Sequence, residues 1–148
     1  MENLANKILN KSLLIESKQQ AIINEIVDYF DKILSSKEYA QWLEDLLSGE
    51  NNAKKRKYSF DVEYWGYSSG CSDTCFRAGG KTWTNPEHPY GHDSYYYKGI
   101  HLSDIQNKVG EALLDLTMKY MREYGFWTSY TDKETWLRYY HKQVTITW

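Results

Sequence analysis

With 148 residues, the chain has room for one domain with a substantial core, spanning 1–148. A formal net charge of −2 excludes a general electrostatic pull on nucleic acid or on an anionic bilayer. There is no apolar run near the roughly 20 residues that span a membrane, and no basic start before an apolar leader, so the expected compartment is the cytoplasm of a host cell.

The first fifty residues read as the helical part, with five lysines against nine acids. Leu4, Ile8, Leu9, Leu13, Leu14 and Ile15 form a short apolar opening segment, expected to be helical. Ser17 and Gln20 have the spacing of a capping box, so a second helix is expected to begin there. Its apolar stripe is Ile22, Ile23, Ile26, Val27, Phe30, Ile33 and Leu34. Ser35 and Glu38 repeat the capping spacing ahead of Tyr39, Trp42, Leu43, Leu46 and Leu47, and Gly49 is the expected stop. A helical hairpin or three-helix unit results. Its outward acids Glu25, Asp28, Asp31, Glu44 and Asp45 are candidate partner-binding residues.

Residues 51–57 lack apolar periodicity and carry the basic run Lys54, Lys55, Arg56 and Lys57, which reads as a solvated linker. The period then changes to two. Tyr58, Phe60, Val62 and Tyr64 alternate with Ser59, Asp61 and Glu63, the pattern of a half-buried strand. Residues 66–93, punctuated by glycines and by Pro86 and Pro89, read as a long loop. Residues 94–100 read as a second strand. Ser103 and Gln106 open a helix whose stripe runs from Ile105 through Val109, Leu113 and Leu116 to Tyr124, with Gly125 ending it. Residues 132–141 fit either helix or strand, whereas Val144, Ile146 and Trp148 alternate as a strand does. The economical assembly is α+β: the helical unit, plus a small mostly antiparallel sheet with one long helix packed on it in the part spanning 58–148.

Cys71, Cys75, His88 and His92 lie inside that loop with spacing C-x3-C-x12-H-x3-H. Two thiolates and two imidazoles at such spacing suit a closed tetrahedral zinc site, which would tie the loop to itself; the alternative is a small disulfide or ordinary thiols. All four positions would be filled by protein, so the zinc is expected to be structural rather than catalytic. The spacing resembles that of zinc-finger proteins over residues 71–92, but Pro86, Pro89 and Gly91 break the helix that a DNA-reading finger needs. Phosphate-loop, zinc-protease and nucleophile-elbow motifs are not found, and His101 and His141 each stand alone, as hydrogen-bonded structural histidines do. The expectation is a protein without catalytic activity.

Fourteen tyrosines and six tryptophans, most of them expected in the core, also supply side chains suited to half-wet recognition surfaces. In size, acidic charge and aromatic content the whole chain resembles the small phage-encoded anti-CRISPR proteins, a resemblance of character rather than of a residue motif. It implies a zinc-stabilised inhibitor that binds a nucleic-acid-processing effector such as a CRISPR nuclease. The acidic residues named above would then meet a basic surface of that partner. Two alternatives remain open: a zinc-containing nucleic-acid-binding protein using 54–57, and a metal-dependent hydrolase using His88, His92, Asp93 and His101.

Overall fold

A computed structural model describes residues 3–65, 73–79, 81–89, 96–132 and 139–148. Helix α1 spans Leu4–Leu34 without the expected interruption at Ser17. A capping box acts as a cap only where its serine leaves helical geometry. With neither glycine nor proline nearby, the hydrogen-bond ladder runs on, and Gln20 instead donates to Asn24 one turn later, at 2.9 Å. The real start is Asn3, whose side chain accepts from the Ala5 amide at 2.8 Å.

Helix α2 (Lys37–Leu47) begins one residue later than the spacing of Ser35 and Glu38 implies. The cap is Ser36, whose hydroxyl accepts from the Tyr39 amide at 3.2 Å and donates to the Ile33 carbonyl at 2.7 Å. Ser35 instead terminates α1. Ser36→Ala is therefore expected to lower stability by about 1 kcal/mol, and Ser35→Ala by less than about 0.5 kcal/mol, as read from urea midpoints. Equal losses would mean that the cap has been misplaced.

The basic stretch expected as a linker is a short helix, α3 (Glu50–Lys55), closed by Arg56 in the left-handed region at φ 51°. Strand β1 (Lys57–Trp65) follows as its period implies. The expected long loop is the larger correction. Within it β2 (Asp73–Ala78) and β3 (Lys81–Pro89) pair antiparallel, with Gly79 following β2 at φ 70°. Phe76 and Trp83 supply the reason, stacking at 5.7 Å on the core side of the pair. Pro86 and Pro89 fall on an edge strand, where a sheet best tolerates proline, and Pro86 lies in the irregular stretch between the Thr74–Asn85 and Asp73–Pro89 pairs.

The expected strand over 94–100 is a small hairpin, β4 (Tyr96–Tyr97) with β5 (Ile100–His101). Its two central residues, Lys98 and Gly99, both have positive φ (49° and 82°), as a tight primed turn requires. Helix α4 (Leu102–Glu123) is capped by His101, whose Nδ1 accepts from the Ser103 amide at 3.2 Å. Gly125 ends it at φ 98°. Strands β6 (Trp127–Asp132) and β7 (Tyr140–Thr147) follow; the first falls where no strand is expected, and of the stretch 132–141 that fits either helix or strand, Asp132, Tyr140 and His141 are extended while 133–138 lie outside the described residues.

The five longer strands form one antiparallel sheet in the order β3-β2-β1-β7-β6. Helices α1, α2 and α4 pack on one face of it. Ile26, Phe30 and Leu34 from α1 and Ile105, Val109 and Leu113 from α4 share a core with Phe60, Val62, Tyr64, Val144 and Ile146. The α+β architecture is thus as the sequence implies, with helices on one side and the polar phase of each strand on the other.

Candidate functional site

The polar phase of the sheet is not uniformly solvated. On β1, Asp61 and Glu63 alternate with the core residues Phe60, Val62 and Tyr64 and so point away from the helices. Glu63 pairs across the sheet with Arg77 of β2 on one side and His141 of β7 on the other. It is only 4% exposed. A buried carboxylate is costly unless its charge is met, and the neighbours meet it. Arg77 Nη1 lies 3.2 Å from Glu63 Oε2, and the Tyr139 hydroxyl donates to Oε1 at 3.4 Å. Burial first, and then the Glu63 carboxylate, push the Tyr139 hydroxyl above the ordinary phenol range, which keeps it a donor.

His141 Nε2 approaches both carboxylates, at 3.1 Å from Asp61 Oδ1 and 3.4 Å from Glu63 Oε1. These contacts are close in distance yet outside hydrogen-bond geometry, and Glu63 Oε2 and both ring nitrogens of His141 are buried without a hydrogen bond. The three donor atoms lie within 4.8 Å of one another. Aromatic rings wall the cluster. Tyr139 stacks on His141 at 5.7 Å and meets Trp65 at a tilt, with 4.6 Å between ring centres, and the Arg77 guanidinium sits over Trp65 at 5.6 Å. His141 is thus not the isolated histidine of the sequence reading. Two of the three cluster residues were legible, since Asp61 and Glu63 share the outward phase of a recognisable strand. His141 was not, because cross-strand register decides its neighbours.

The expected zinc ligands are only partly visible. Cys71 and His92 lie outside the described residues, as does the side chain of His88, whose backbone belongs to β3. Cys75 is buried on β2, opposite Trp65 and Thr84. The acidic residues expected to act together are split. Glu25 is engaged by Lys98 at 3.0 Å and by the Tyr97 hydroxyl at 3.3 Å. Asp31 accepts from the Tyr120 hydroxyl, and with Asp28 it lines a shallow α1–α4 groove that also holds Asp115 and Lys119. Asp45 accepts from Gln41 at 2.9 Å. Glu44 borders a separate apolar cleft of about 450 Å³ formed with Leu43, Leu47, Phe126 and Trp148.

A second feature lies on the opposite side of the polypeptide's layers. Residues 3–18 of the chain are exposed throughout, although α1 is one continuous helix. Leu4, Ile8, Leu9, Leu13, Leu14 and Ile15 are each more than half exposed on this arm, Leu4 at 71%. Leu4, Ile8 and Ile15 continue, at steps of four and seven, the stripe that Ile22 and Ile26 bury in the core. Sequence periodicity finds the stripe but does not reveal that its first half is left exposed. No described helix is long and apolar enough to cross a membrane. Aromatic residues divide likewise: Tyr39, Tyr64 and Tyr140 are buried, whereas Tyr96, Tyr130 and Trp127 are exposed. No protein-family model, no curated protein and no solved structure matches this chain.

Proposed function

We propose that this chain is a protein-binding module that docks by laying the N-terminal arm of α1 into an apolar groove of another protein. The observation that carries this reading is the run of six large aliphatic side chains held in water on a preformed helix. An isolated helix of that length is marginal in water, but here it propagates from a segment already anchored in the core. The arm thus loses little entropy on binding. Burying four of its aliphatic side chains is worth about 6–12 kcal/mol before the costs of association.

The flank gives the partner's chemistry. Lys7, Lys11 and Lys18 are four and seven residues apart, which at 3.6 residues per turn places them along one side of the arm. A groove with an acidic rim on that side is the complement. The anti-CRISPR resemblance supplies one specific version: an inhibitor of an effector nuclease, acting by occupancy, with Asp28 and Asp115 of the α1–α4 groove turned to a basic neighbouring surface.

A photo-crosslinking residue at Leu9 or Leu13 identifies the partner, which is then purified and its affinity measured. Ile8→Glu with Ile15→Glu is expected to weaken binding by at least about 100-fold, with the thermal melt unchanged. Undiminished affinity of the double variant, or crosslinks to a second copy of the chain alone, would overturn the reading. If the partner is a nuclease, stoichiometric wild-type protein protects its substrate and the double variant does not.

A further inference from the structure

We propose that Asp61, Glu63 and His141 form a binding site for a divalent transition-metal ion, of the zinc or manganese type, on the face of the sheet turned away from the helices. The donor separations carry the inference. Ligands about 2.1 Å from one ion, at angles of about 90–110°, are held about 3.0–3.4 Å from each other. His141 Nε2 lies 3.1 Å from Asp61 Oδ1 and 3.4 Å from Glu63 Oε1. Donors bound to one ion are also turned off each other's hydrogen-bonding axes, because each points at the ion instead. That is the observed relation at Nε2: short contacts to both carboxylates, yet no hydrogen bond, on a largely buried imidazole. A protonated histidine serving only as a structural counter-charge would be expected to aim its N–H at one of the carboxylates.

The supports are of the kind a metal site uses. Asp61 and Glu63 are two residues apart on one face of β1, and His141 is the cross-strand partner of Glu63, so the ligands sit on strands rather than loops. Tyr139 donates to the Glu63 oxygen that faces the histidine, and Arg77 engages the other oxygen, which fixes the carboxylate's orientation. Glu63 is nine-tenths buried, whereas the Asp61 side chain is 44% exposed and gives an ion a way in. One imidazole with two carboxylates suits zinc or manganese better than calcium, which favours all-oxygen shells. Three protein ligands leave at least one position for water or an exogenous anion.

The test uses full-length protein stripped with EDTA and dialysed, titrated with manganese chloride and zinc chloride by calorimetry, with the thermal melt as a second readout. One site of micromolar or tighter affinity is expected, with a rise in melting temperature on adding the ion. Asp61→Asn and His141→Gln should each weaken that site at least about 100-fold and abolish the thermal shift. Cys71→Ser separates this site from zinc held by the cysteine–histidine set, and should leave manganese binding unchanged. Absence of binding by the wild type, or affinities unaltered in Asp61→Asn and His141→Gln with folding intact by circular dichroism, would overturn the proposal. So would loss of all metal binding in Cys71→Ser.

Discussion

Gly110→Ala is expected to destabilise the protein by about 3 kcal/mol or more, although alanine is the better helix former by about 1 kcal/mol. Gly110 lies in α4 where that helix crosses β7. A Cβ there would meet Tyr140 at 2.2 Å from Cγ, 2.5 Å from Cδ1 and 2.6 Å from Cβ. The colliding atoms are the root of the tyrosine rather than its tip. A rotamer change therefore cannot clear them, and either the helix or the strand must move. Tyr140 is itself 5% exposed and packed in the core, so the displacement would spread. At roughly 3 °C per kcal/mol for a chain of this size, the melting temperature should fall by about 10 °C. In Tyr140→Ala, which removes the two nearest colliding atoms, Gly110→Ala should cost much less than in the wild type, because the two changes share one contact and are not additive. A Gly110→Ala protein as stable as wild type would mean that α4 does not sit this close to the sheet.

Phe30→Ala should cost about 3–5 kcal/mol, the range for emptying a buried aromatic site. Phe30 is fully buried, and its ring lies 5.2 Å from that of Phe76. It joins α1 to strand β2, so the cavity would open between two layers held apart by their other contacts, and neither layer can collapse to fill it. The internal control is in the same helix. Ile8→Ala removes a comparable aliphatic body from a position 56% exposed and should change stability by less than about 0.5 kcal/mol. Denaturant titration of both variants checks the contrast. If Ile8→Ala were as damaging as Phe30→Ala, the arm would be packed against something within the fold, and its availability to a partner would be lost.

The two proposals concern different parts of the molecule and different forces. The arm offers apolar area, whose value is realised only when a partner excludes water from it. The sheet-face cluster offers converging charge, whose value depends on an ion small enough to sit between donors about 3 Å apart. Their tests are independent, so failure of either leaves the other standing.

Local pattern was enough for much of the fold. Period two over residues 58–64, the stripe of α4, and Gly125 as its stop follow from side-chain spacing and backbone freedom alone, because they depend on residues within one or two turns of each other. Where local signals competed, the sequence was ambiguous. The serine–glutamine spacing at Ser17 and Gln20 looked like a helix start, but an unbroken ladder cost less than ending it. Glycines and prolines in 66–93 suggested irregular chain, but Phe76 and Trp83 could be buried only by pairing their strands. Side-chain spacing along the chain settles which residues are apolar, charged or chemically able to ligate a metal, and on which phase of each element they fall. That Asp61 and Glu63 meet His141, about eighty residues further along the chain, and that the first half of α1 extends past its core, follow from strand register and layer packing, which no local spacing encodes.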